Sequence, residues 1–182
     1  MIKISFTARR MGVMKNTCCF FGHQKIHITD ALISELHNIL EKLIIHNEVN
    51  TFLFGNKSEF NDLCYQIVSE IRVRYPYIKR IYVRAHFPHI DDSYKSYLLQ
   101  GYEETYYPTN IIKAGKLAYI MRNREMIDKS EFCVVYLDEN YIPIKQNRNG
   151  IDLTVHSPKS GTKLAYDYAL KKQRTVINIF RK

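Results

Sequence analysis

No Cys-x-x-Cys pair occurs in this chain; Cys18, Cys19, Cys64 and Cys133 sit inside apolar stretches, the first two adjacent. That spacing excludes dithiol redox chemistry and a zinc ribbon, and it reads as four reduced core thiols. No apolar run approaches the roughly 20 residues that span a bilayer, and the N-terminus lacks the continuous apolar core of a secretory signal. The expectation is a cytoplasmic protein with no membrane partner. Acids are the scarcer charge, 18 against 27 Lys and Arg, which leaves a formal net charge of +9. Such a surface attracts phosphate, nucleic acid or other anions without selecting among them, and the basic residues are dispersed rather than gathered in one run. With 46% hydrophobic and 25% charged residues, the composition argues against disorder and against a fibrous repeat. A length of 182 residues fits one domain with a sizeable core.

Residues 1–13 carry Lys3, Arg9 and Arg10 and no acid, and read as a leader or an upstream start extension; residues 14–182 then form the single domain. Within it, strand and helix signals alternate. Thr17–Phe21 is a β-prone run ended by Gly22, and Ile28–His46 repeats apolar residues at helical spacing behind the caps Thr29 and Asp30. Thr51–Phe54 is the second strand, Gly55 and Asn56 a turn, and Ser58 opens a helix with Phe60, Leu63, Ile67, Val68 and Ile71 inward, ended by Pro76. Ile78–Ala85 is a third strand, His86–Gly101 an irregular stretch, and Thr105–Tyr107 a short strand. Lys116–Lys129 is helical with Leu117, Ile120, Met121 and Ile127 as its inner face; Phe132–Leu137 is nearly all apolar, as suits a parallel strand covered on both faces. The polar stretch 138–159 is a hairpin-like excursion or a lid, followed by a helix over Gly161–Lys172 and a strand over Thr175–Ile179. The fold class is α/β, a single Rossmann-like three-layer domain with a mostly parallel central sheet.

In such a sheet ligands bind beyond the carboxyl ends of the strands, where helix N-termini offer free N–H groups and the positive end of a dipole. Three segments converge there: Gly22-His23 after the first strand, Gly55-Asn56 with Glu59 after the second, and Lys159-Ser160-Gly161-Thr162 at the last helix. The third has the chemistry of an anion cradle, since Gly161 admits a close phosphate, Ser160 and Thr162 add hydroxyls, and Lys159 adds charge. Arg122 and Asn123 lie on the helix before the central strand, and a guanidinium there can fork onto phosphate. His23 is placed to hydrogen-bond a ligand, although a histidine after a strand is as readily a packed residue. His86 and His89, near Asp91 and Asp92, have no regular ligand spacing, so no metal is expected.

Together these segments resemble the SLOG superfamily of SMF/DprA and LOG-like proteins, and most closely its small YpsA-like bacterial branch. The likeness runs from Thr17 to Ile179 and rests on Cys18-Cys19-Phe20-Phe21-Gly22-His23, Phe52-Leu53-Phe54-Gly55-Asn56, Arg122-Asn123-Arg124-Glu125-Met126 and Pro158-Lys159-Ser160-Gly161-Thr162. It implies a Rossmann-like fold whose pocket accepts nucleotides or their derivatives. LOG enzymes carry Arg-Lys-x-x-Met and Pro-Gly-Gly-x-Gly-Thr-x-x-Glu segments. Here Arg122 and Met126 match the first, with Asn123 for the lysine; Gly161 and Thr162 match the second, with Ala165 for the glutamate. A methyl group can neither accept a proton nor steady a ribosyl cation, which argues against LOG-type N-glycosidic cleavage.

The leading expectation is a sensor or sequestering module for a phosphate-containing, nucleotide-derived ligand, needing no cofactor. The alternatives are a nucleosidase-like hydrolase with Glu59 as its acid, and a single-stranded DNA binder. Tyr94, Tyr97, Tyr102, Tyr106 and Tyr107 sit near Lys95, where rings can stack on bases. The same tyrosines suit, more readily, a covered sheet edge or the contact of a homo-oligomer.

Overall fold

Unbroken apolar runs become strands here because both faces of the sheet are covered. The computed structural model describes residues 16–55, 58–141 and 160–181. Strands β1 (Thr17–Gly22), β2 (Thr51–Phe54), β3 (Lys79–Val83), β4 (Glu104–Tyr106), β5 (Phe132–Tyr136) and β6 (Thr175–Asn178) form one sheet in the order β4-β3-β2-β1-β5-β6. Every pairing is parallel. The expected three-layer, Rossmann-like α/β architecture is therefore the observed one.

Alternation along the strands sorts the core into two layers. Cys18, Phe20, Phe52, Phe54, Phe132 and Val134 face α1 (Asp30–Asn47) and α2 (Glu59–Arg74). Cys19, Phe21, Leu53, Cys133 and Val135 face α4 (Ala118–Lys129) and α5 (Gly161–Lys171). Each fully buried apolar side chain contributes roughly 1.5–3 kcal/mol. From β1, strands are added one way through β2, β3 and β4 and the other way through β5 and β6, and the helices change face at the same point. That joint reversal keeps the crossovers of one hand and opens a cleft between the carboxyl ends of β1 and β5.

Side-chain caps fix the starts of α1, α2 and α5. Leu32 N–H donates to Thr29 Oγ1 at 3.2 Å, Asn61 N–H to Ser58 Oγ at 3.1 Å and Lys163 N–H to Ser160 Oγ at 3.1 Å. Two expectations need correction. The stretch 86–101 is not irregular throughout, for it contains helix α3 (Asp92–Leu99). Its start is fixed by Asp91, whose carboxylate accepts from Tyr94 N–H at 2.7 Å, and only Leu98 is buried, so there is no apolar stripe to reveal it.

The second correction concerns α4. Its inner face is Ala118, Arg122, Met126 and Ile127; Leu117 is 55% exposed, and Ile120 and Met121 are half-buried. The helix is turned by about one residue from the face that hydropathy alone selects, which puts an arginine inside. Two turns of 3-10 helix, Thr109–Ile111 and Gly115–Leu117, precede it. The expectations for residues 1–13, for most of 138–159 and for Asn56 and Lys159 lie outside the described residues. Among the described residues no helix is long and apolar enough to cross a membrane.

Gly22 ends β1 against α2 so closely that a Cβ there would stand 2.5 Å from Phe60 Cδ1 and 2.6 Å from Phe60 Cβ. Gly22→Ala is therefore expected to lower unfolding free energy by about 1–3 kcal/mol, the usual cost of overpacking, as measured by urea denaturation. Stability equal to that of the parent would show that this packing is not tight.

Candidate functional site

A cleft of about 310 Å³ lies at the β1/β5 junction. Phe20, Phe21, Gly22, His23 and Gln24 form its floor, and Ser58 and Asn61 enter from the start of α2. Tyr119 and Asn123 enter from α4, and Ser160, Gly161 and Thr162 from the start of α5; Tyr141 closes one side. Of the residues singled out in the sequence, the structure brings together Gly22, His23, Asn123, Ser160, Gly161 and Thr162. It does not bring Gly55, Glu59 or Arg122 to the lining.

The two helix N-termini differ in charge. The first turn of α2 carries Glu59 and Asp62, which offset its own dipole, whereas the first turn of α5 has no acid. The N–H groups of Gly161 and Thr162 have no hydrogen-bond acceptor among the described residues. A Cβ on Gly161 would meet nothing within 4 Å, so that backbone faces open space. This is the stronger anion position of the two.

His23 is 2% exposed, and its ring stacks on Tyr141 at 3.9 Å between centroids. Asp138 N–H donates to His23 Nε2 at 2.9 Å, closer than the 3.3 Å from the same nitrogen to Asp138 O, and this shorter bond needs an unprotonated Nε2. The neutral ring therefore carries its proton on Nδ1, a buried atom with no partner. Burial pushes the histidine pKa down. Asn61 is 6% exposed; its Nδ2 donates to Phe20 O at 3.2 Å, and its Oδ1 is buried without a partner. Two residues on the cleft lining thus carry one buried donor and one buried acceptor with no partner among the described residues.

Arg122 is 3% exposed and lies beneath Gly55. A Cβ at Gly55 would stand 2.5 Å from the guanidinium carbon, so this glycine makes room for the arginine. Nη1–H donates to Val83 O at 2.9 Å and Nε–H to Asn123 Oδ1 at 3.0 Å. No carboxylate pairs with Arg122 among the described residues, and burial pushes its pKa down to about 10, so it is a cation at neutral pH. The group acts on the cleft through Asn123, which it orients.

Glu59 is engaged elsewhere. Its carboxylate accepts from Ile26 N–H at 3.0 Å and pairs with Lys25 Nζ, fastening the loop after β1 to the start of α2. The Lys25 ammonium and the Ile26 N–H hold its pKa below the ordinary carboxylate value, the opposite of what a general acid requires. Among the described residues lining the cleft there is no carboxylate.

Sequence reasoning missed Asn61, Tyr119 and Tyr141. Asn61 was detectable as a polar residue within the buried run Phe60–Leu63, and Tyr119 as the residue one turn before Asn123 on the same face. Nothing in the polar stretch after β5 singles out Tyr141. His86 Nε2 lies 2.7 Å from Tyr119 Oη, and among the described residues no group of three or more His, Cys, Asp or Glu is placed to hold a metal. No known family model matches the chain, and no curated protein matches it in sequence.

A histidine whose folded pKa is depressed binds fewer protons folded than unfolded once the pH drops below its ordinary value of about 6.5. Its contribution to stability is complete above that value and is lost as the pH falls from there through the folded value. Urea denaturation at pH 7.5 and pH 5.5 is expected to show a smaller acid loss for His23→Gln than for the parent. Equal losses in both would contradict a neutral, buried His23.

Proposed function

We propose that the cleft binds a phosphate-containing, nucleotide-derived ligand and that the protein acts as a sensor or sequestering module rather than as a hydrolase. The observation that carries this reading is the α5 N-terminus: its first N–H groups are free among the described residues, no acid offsets the dipole, and the cleft in front of it lacks a carboxylate among the described lining residues. The phosphate is assigned to Gly161, Thr162 and Ser160. The rings of Tyr119, Tyr141 and His23, which line the cleft, suit a flat heterocycle. The buried charge of Arg122 raises the positive potential of this edge of the sheet.

The same residues support membership of the SLOG superfamily as a proposal, with Ala165 buried at 4% exposure where LOG enzymes carry glutamate. A cytosolic setting accords with four buried free cysteines. Turnover would need a carboxylate that the described lining lacks, and this is why binding without cleavage is favoured.

Calorimetric titration with a panel of mononucleotides, ADP-ribose species and cyclic dinucleotides, followed by chromatography for released base, tests the reading. Binding with no free base is expected; release of base would establish the hydrolase instead, and no heat with any member would end the proposal. Gly161→Val is expected to abolish binding at this cleft, read as loss of the amide NMR shifts of His23 and Thr162 on titration, while circular dichroism and Tm stay unchanged, because the new side chain enters open space. Unchanged affinity would show that the ligand lies elsewhere.

A further inference from the structure

A second hollow of about 310 Å³ lies farther along the carboxyl edge, beyond β3, lined by Arg84, His89, Asp92, Lys95 and Thr105 among others. Arg84 follows β3 directly, and its backbone N–H continues the ladder by donating to Tyr106 O at 2.9 Å. The side chain is 8% exposed. Its Nη1–H donates to Phe87 O, a carbonyl presented by a backbone in the left-handed region at φ 58°, which a phenylalanine adopts only under constraint. The guanidinium lies 5.9 Å from the centre of the Tyr107 ring, and its Nε–H is buried without a partner. No carboxylate pairs with Arg84 among the described residues; Asp92 lines the hollow without bridging to it. Burial moves the Arg84 pKa down, as expected for a cation short of counter-charge.

Beside the hollow stands a row of exposed rings. Phe87 is 65% exposed and Tyr97 66%, with Tyr94 between them. Phe87 and Tyr94 meet edge-on at 6.3 Å, and Tyr94 and Tyr97 lie within 15° of parallel at 6.2 Å. The tyrosines grouped in the sequence are thereby divided: Tyr102 stacks on Tyr82 at 5.3 Å inside the fold, whereas Tyr94 and Tyr97 face outward. A buried cation that lacks an anion, next to rings that lack a cover, matches the two halves of a nucleotide.

We propose that this hollow is a second binding site, taking one nucleotide unit with its phosphate against Arg84 and Lys95 and its base against Tyr94 and Phe87. A free mononucleotide and one residue of a single strand share that chemistry. The site does not depend on the β1/β5 cleft, so it is tested in the Gly161→Val chain with AMP, a short oligothymidylate and inorganic phosphate. AMP, the oligonucleotide or both are expected to bind. Arg84→Gln and Lys95→Gln are each expected to weaken binding about ten-fold, the effect of losing one charge-assisted contact. Tyr94→Ala is expected to weaken nucleotide binding and to leave phosphate binding unchanged. Lys95 is exposed, so its replacement reads the site even if Arg84→Gln fails to fold. Tighter binding of the oligonucleotide identifies a strand, and equal or tighter binding of AMP a free nucleotide. If neither binds, or if Lys95→Gln binds as the parent does, the proposal is wrong. Should the cleft assignment fail, Gly161→Val changes nothing and the dependence on Arg84 and Lys95 is still read.

Discussion

The guanidinium of Arg122 sits inside the protein with no carboxylate to balance it among the described residues, and the carboxyl edge of the sheet is arranged around that charge. Gly55 has no side chain because the guanidinium occupies its space; Val83 offers a carbonyl, and α4 is turned so that Ala118, Arg122 and Met126 face inward. Burying an unpaired ion costs several kcal/mol even after relaxation. Two apolar layers, packed on opposite faces of a fully parallel sheet, provide the stability that offsets it. Arg84, at the end of the neighbouring strand, repeats the arrangement. A fold optimised for stability alone would place leucine or methionine at such positions.

Seen from that charge, the cleft has a consistent chemistry. It lies where the sheet reverses its direction of growth, the α5 N-terminus adds a positive dipole end, and Glu59, next to the lining Ser58, is fastened to Lys25 and Ile26. Burial pushes the His23 pKa down, so the ring stands as a hydrogen-bonding group rather than a charge. On the proposed reading, anion recognition falls to backbone N–H groups and to the field of buried arginine, with His23 and Asn61 on the lining beside them. That division favours a receptor over a catalyst.

Strand positions were legible in the sequence because runs such as Phe132–Tyr136 have only one stable use in an α/β protein, and the order of elements dictated a parallel sheet. Helix α3 was not legible, since one capping aspartate and one buried leucine leave no period to detect. The face of α4 was misjudged because hydropathy treats arginine as outward-facing, whereas Gly55 and Val83, remote in sequence, admit it. In the sequence Gly22 and Gly55 stand out as glycines after strands, where a ligand is the expected neighbour. What approaches them, Phe60 and Arg122, is set by tertiary packing and required the structure. Gly161 is the reverse case: among the described residues no atom lies where its Cβ would be, and on the proposed reading that space is for the ligand.

Backbone amide NMR during titration with a nucleotide that binds tests this account most directly, because it reports location as well as affinity. The largest shifts are expected at Gly22, His23, Gly161 and Thr162 in the Arg84→Gln chain, with Thr17, Thr51 and Phe132 at the opposite end of the strands unmoved. Shifts concentrated at that opposite end, or absent from Gly161 and Thr162 at saturation, would contradict an anion held at the β1/β5 cleft.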